Sequence, residues 1–156
     1  MLKIYERRNA LEIIISSESS LIKSVVRVSR EFFADIYPER MADLEIVLRE
    51  LILNAIRHGN RERSDKLIKI KIVPGSSSIL QISVQDQGQG FDFRAVDLNL
   101  PSTGITSSNR GLKLVNALSN SLGYDIEERR ITALLGNKND NLFGLVNLFR
   151  KVCNAA

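Results

Sequence analysis

Tryptophan is absent from these 156 residues, cysteine and histidine occur once each, and only 6% of the residues are aromatic. A single cysteine, Cys153, excludes a disulfide within the chain and any multi-cysteine zinc site, and His58 alone does not repair that deficit. So few aromatics leave no stacking platform for single-stranded nucleic acid, and no nucleic-acid partner is expected. Long apolar runs are missing as well. The stretch from Leu11 to Ile15 is too short for a signal-peptide core or a membrane span, so the expected location is the cytoplasm, away from membranes. Neither sign of charge dominates: 22 Lys and Arg stand against 18 Asp and Glu, a net +4. The cations are scattered, which suits a solvated surface or a weak patch for an acidic partner.

What is present is an ordinary globular balance, 44% hydrophobic and 26% charged, in a length that suits one domain. Leu11 to Ile15 reads as a short strand, and Ser16 to Ser20 supplies capping chemistry for a helix from about Glu18 to Ile36. Leu21, Val25, Val28, Phe32 and Phe33 form its apolar stripe. Pro38 ends that helix. A second one carries Leu44, Val47, Leu48, Leu51 and Ala55 on one face and is expected to stop near His58-Gly59, with the glycine as its C-terminal cap. Alternation then predicts strands over 66–73 and 79–85, each with one polar face turned to solvent, joined by the loop 74–78. From Asp86 to Asn109 there is little periodicity, as in a lid or binding segment. A helix from Arg110 to Ser121 and strands over Tyr124 to Glu128 and Ile131 to Leu135 follow. A last amphipathic helix, capped by Asn139-Asp140-Asn141, carries Leu142, Leu145, Val146 and Phe149 on one face.

Three segments carry candidate chemistry. Glu50 and Asn54 lie four apart on the second helix and share a face beside the apolar stripe. Alone, such a pair is usually a solvated helix edge. Asp86-Gln87-Gly88-Gln89-Gly90 leaves the end of a strand, where a carboxylate can accept from an exocyclic amine and glycines let a planar ring approach the backbone. A plain glycine turn would have the same composition. Arg110-Gly111 opens a helix whose free N–H groups and dipole suit phosphate, unless it is only a helix start after a loop.

In this order and on these elements, the three segments resemble the motifs of the GHKL (Bergerat-fold) ATPase superfamily. Glu50 to Gly59 is similar to its N box, Asp86 to Gly90 to its first glycine box, and Arg110 to Leu114 to its second. Within the superfamily the chain resembles the stand-alone serine/threonine kinases that act as anti-sigma factors, because no helix pair bearing a phospho-accepting His accompanies the motifs. The resemblance implies an α+β fold, a two-layer sandwich whose mixed, mainly antiparallel sheet is covered by helices on one face. Residues 1–136 would form the ATP-binding domain, and 137–156 a C-terminal amphipathic helix packed on it. It further implies ATP and Mg²⁺ as cofactors, with Glu50 as general base and Asn54 as Mg²⁺ ligand. Asp86 would read the adenine amine, Gly88 and Gly90 would shape the base pocket, Arg110 and Gly111 would hold phosphates, and Thr132 would support the base through water. The implied partners are an antagonist protein carrying the accepting serine, a sigma factor or similar regulator, and a second copy in a homodimer.

The pattern is not followed everywhere. Lys113 stands where the second box has its second glycine, directed to solvent or laid against the phosphates, and Arg129-Arg130 replaces the glycines before the last strand. His58 either closes the helix end or shares a ligand role with Asn54. Two other functions therefore stand beside the kinase: a module that binds ATP to grip a partner without phosphotransfer, and an interaction domain that takes no nucleotide.

Overall fold

The structure, a computed structural model, describes residues 1–76, 78–99 and 110–136. The expected C-terminal helix and the lid residues 100–109 lie outside the described residues. Six strands form one sheet: β1 (Leu2–Arg7), β2 (Ala10–Ser16), β3 (Leu67–Pro74), β4 (Leu80–Gln85), β5 (Ser121–Asp125) and β6 (Arg130–Leu135), in spatial order β1-β2-β3-β4-β6-β5. All five pairings are antiparallel, so the sheet is not mixed among the described residues. Three helices, α1 (Ile22–Phe33), α2 (Met41–Asn54) and α3 (Arg110–Leu118), share one apolar core with the strands in an α+β sandwich.

Alternation sets the core face. Leu11, Ile13 and Ile15 of β2 sit opposite Ile72, Ile70 and Ile68 of β3, and Ile70 and Ile72 in turn oppose Val84 and Ile82 of β4. All of these are buried. Each such aliphatic side chain contributes about 1.5–3 kcal/mol by leaving water, so a one-residue slip of register, which would turn the whole row outward, is strongly disfavoured. The outer face is solvated at Lys69 and Lys71 as expected, but at β4–β6 it is not: Ser83, Thr132 and Leu134 are buried.

Several boundaries differ from the sequence reading, each for a local reason. The strand β1 is an additional edge strand with every residue exposed, so no burial pattern marks it, and its turn at Arg8-Asn9 lacks the Asn-Gly or Asp-Gly signature of a two-residue hairpin. The α1 stripe is rotated: Ile22, Val25, Val26, Ser29 and Phe33 are buried, with Val28 and Phe32 only partly so, and the Ser29 hydroxyl is satisfied by the Val25 carbonyl at 2.8 Å. The helix α3 stops at Leu118, and β5 begins three residues before the predicted strand. The apolar Ile126, 51% exposed, lies in the turn after β5 and not in a strand.

The largest difference lies at the end of α2. The helix does not finish on a glycine cap. From Ala55 to Gly59 it widens into a π turn, closed by the Asn60 amide donating to the Ala55 carbonyl at 2.7 Å. Such widened turns recur where a helix must present side chains at a site.

Candidate functional site

The helix α2 points Glu50 and Asn54 toward α3, and the two sets of elements enclose a cavity of about 220 Å³ lined by Glu50, Asn54, Arg57, His58, Arg110 and Gly111 among others. A second cavity, about 190 Å³, adjoins it. Its walls include Asn54, His58, Gly59, Asp86, Gly90 and Phe91. Asn54, His58 and Leu112 belong to both. The structure therefore brings Glu50, Asn54, Asp86, Gly90, Arg110 and Gly111 around two adjoining lobes that share a wall.

The first lobe is polar and mainly cationic. Arg57 and Arg110 face one carboxylate, Glu50, and the start of α3 adds the positive end of its dipole. Gly111 leaves room for Glu50: a Cβ on it would stand 2.5 Å from Glu50 Oε2 and push the carboxylate aside. This lobe is suited to a polyanion with a base beside it. Among the described residues no three His, Cys, Asp or Glu side chains gather into a metal cluster.

The second lobe is narrower and more apolar, with Phe91, Val96 and Leu112 in its wall and one buried carboxylate. Asp86 accepts a hydrogen bond from the Gly88 amide at 2.7 Å. Burial pushes its carboxyl above the ordinary value near 3.8, against the Gly88 amide and the cations Arg129 and Lys66, which pull it down. A Cβ on Gly59 would overlap that carboxyl, and one on Gly88 would overlap the Gly59 carbonyl. Gly59 is thus needed for close approach to Asp86 and not for a helix cap. Gly59→Ala is expected to cost about 1–3 kcal/mol of folding stability through overpacking, read by urea unfolding.

Asn60 was not legible as a site residue, yet it fixes this geometry. It is fully buried; its Oδ1 accepts from the Gln87 amide at 2.8 Å and its Nδ2 donates to the Leu67 carbonyl at 3.1 Å. Gln87 Oε1 accepts in return from the Leu67 amide at 2.7 Å, and Lys66 Nζ donates to the Gln87 carbonyl at 3.0 Å. The π turn, the start of β3 and the turn after β4 are held together, and Asp86 is set before any ligand arrives. An Asn directly after His-Gly is the signal that marks it, and it acquires meaning only when the turn after β4 is known to lie beside it.

Three residues stand elsewhere than the sequence suggested. Gly88 lines neither lobe: it packs on the Gly59 carbonyl and its amide holds Asp86. Thr132 lines neither lobe. It pairs in register with Ser83 and donates to its hydroxyl at 3.2 Å, on the sheet face opposite Ile82 and Val84. Lys113 is turned neither to solvent nor into a lobe: its side chain is 14% exposed and pairs with Asp97 at 3.5 Å. That ion pair ties α3 to the segment after the glycine turn. An aromatic group, Phe91, Phe93 and Tyr124, backs the second lobe, with Phe91 and Tyr124 centroids 4.4 Å apart. No helix among the described residues is long and apolar enough to cross a membrane.

Comparison with known proteins agrees with this geometry. The chain is 32% identical over 120 residues to the sensor protein LytS of Streptococcus agalactiae, in its serotype V and serotype III forms alike. The match covers 71% of this chain and 20% of each relative, so the chain spans about a fifth of the length of those sensors. Residues 15–135, from the end of β2 to the end of β6, match the model of the histidine kinase-like ATPase domain. Both lobes lie within that span, and the chain belongs to the histidine kinase-like ATPase domain family, whose members are ATP-binding modules.

Proposed function

We propose that this ATP-binding domain is a Mg²⁺-dependent protein-serine kinase of the partner-switching type, which phosphorylates an antagonist protein and sequesters a sigma factor or similar regulator. The observation that supports it most is the seat of Glu50, with its carboxylate against Gly111 at the start of α3 and beside Arg110, in the lobe suited to phosphates. A carboxylate there is useful to an acceptor that must lose a proton on attack, as a serine hydroxyl does. Bound ATP supplies the transferable phosphate, and Mg²⁺ offsets its charge. Asn54, where the lobes meet, offers the oxygen ligand that this hard ion prefers, with water completing its shell. Asp86, oriented by the Gly88 amide, accepts from the adenine amine, Gly90 admits the ring, and Arg110 with the Gly111 amide holds phosphate. Glu50 takes the hydroxyl proton.

Incubation with γ-labelled ATP, Mg²⁺ and candidate antagonist proteins tests this reading. Label on a serine of one antagonist is the expected result, and label on a histidine, or on nothing despite bound ATP, would overturn the serine-kinase assignment.

The Lys113–Asp97 ion pair, with the lysine largely covered and the aspartate exposed, favours a second reading, a module that binds ATP and grips its partner without transfer. Family members have glycine where Lys113 stands, and the tie restrains the segment that would close over the phosphates. Saturable binding with no turnover for any partner separates this reading from the first.

A further inference from the structure

The cations look scattered along the sequence, but the fold gathers four of them around one groove. Lys23, Arg27 and Arg30 lie at i, i+4 and i+7 of α1, a single stripe about 10 Å long. Arg49 of α2 stands across from them, and between the two helices is a cavity of about 560 Å³, larger than either lobe. It shares no lining residue with those lobes.

Only two carboxylates, Glu31 and Glu45, line the groove against these four cations. Glu45 is shared by Arg30 at 3.0 Å and Arg49 at 3.5 Å, which ties α1 to α2. Arg27 reaches Glu31 only at 4.0 Å, with both side chains largely exposed, a pair that contributes little. Lys23, also exposed, pairs with no carboxylate among the described residues. The surplus charge therefore sits at Lys23 and Arg27. Beneath the charges the floor is apolar, formed by Val26, 5% exposed, and the small side chain of Ala34.

A channel between two helices with small apolar residues in its floor admits a third helix, whose ridge lies along it. The cations on its rim call for carboxylates at the same i, i+4 and i+7 spacing. A nucleic acid suits it less: phosphates would meet Glu31 and Glu45, and no aromatic side chain lines the groove to stack on a base. We propose that the α1–α2 groove docks an acidic helix of a partner protein, with its carboxylates on Lys23 and Arg27 and its apolar ridge over Val26 and Ala34. The inference goes beyond the kinase reading and does not depend on it, because the groove is formed without nucleotide.

The full 156-residue chain, without nucleotide, is titrated into a fluorescein-labelled, alanine-based helical peptide. Its glutamates stand at i, i+4 and i+7 on one face, with leucine between them. Anisotropy is expected to rise to saturation, and the affinity to fall as salt is added. Lys23→Glu with Arg27→Glu should weaken binding at least about tenfold. Lys23→Gln with Arg27→Gln, which adds no repulsion, should weaken it about threefold or more and leave the melting temperature and Mg-ATP affinity unchanged. A peptide with the same glutamates spread around the helix should bind at least about tenfold more weakly than the one-faced peptide. Equal binding of the two peptides, undiminished binding by both variants, or no saturable binding would overturn the proposal. Tighter, groove-dependent binding of a DNA duplex would overturn it in favour of a nucleic acid. None of these failures touches the ATP site, which is titrated separately.

Discussion

Asp86→Asn is expected to weaken ATP binding about tenfold to a hundredfold while making the nucleotide-free fold more stable. The loss follows from replacing a charged acceptor by a neutral one, since hydrogen bonds to charged groups are worth about 1.5–3 kcal/mol. The gain follows from burial. The Asp86 carboxyl is held above its ordinary range in the folded chain chiefly because its surroundings disfavour the charge. In the window between the ordinary and the raised value, the folded state binds more protons than the unfolded one, so stability falls as pH rises. Above the raised value the penalty is complete and constant. Asparagine carries no such charge. The difference in melting temperature, variant minus wild type, should therefore grow from about pH 4 upward and then level off. A variant that is destabilised at neutral pH, or that binds ATP as the wild type does, would show that Asp86 serves the fold and not a ligand.

Glu50→Gln is expected to lower phosphotransfer by about a hundredfold to ten-thousandfold, the usual contribution of a positioned general base. ATP affinity should change by no more than about threefold, because the amide keeps the shape of the side chain against Gly111 and the neighbouring cations remain. Removing a carboxylate from beside a polyanion would, if anything, tighten binding. Transfer and affinity are thus predicted to separate, and single-turnover measurement at saturating Mg-ATP reads the difference. Equal transfer by both proteins would remove the base assignment.

How much of this was legible beforehand depended on whether the signal was local. The apolar period of α2 placed Glu50 and Asn54 on one face, and the alternation of β4 placed Asp86 at a strand end; both follow from a few adjacent residues. The glycines were recognised but one was misread: Gly59 follows a helix and looks like a cap, whereas its constraint comes from Asp86, which lies 27 residues later. Asn60 follows His-Gly in the sequence, but that signal acquires meaning only through Gln87, a neighbour that the fold alone supplies. Thr132 was placed correctly in the last strand, but which face it takes depends on its register with Ser83. The edge strand β1 gave no signal because its side chains are exposed on both faces and backbone pairing leaves no trace in composition.

The central claim is that one adenine nucleotide spans both lobes, its base at Asp86 and its phosphates between Glu50 and Arg110. Isothermal titration of the chain with Mg-ATP and, separately, Mg-GTP tests this most directly. A carboxylate that accepts from the adenine amine would instead face the guanine carbonyl, acceptor against acceptor. One ATP should bind per chain, and GTP at least about tenfold more weakly. Equal binding of the two, or no saturable binding of either, would contradict the account.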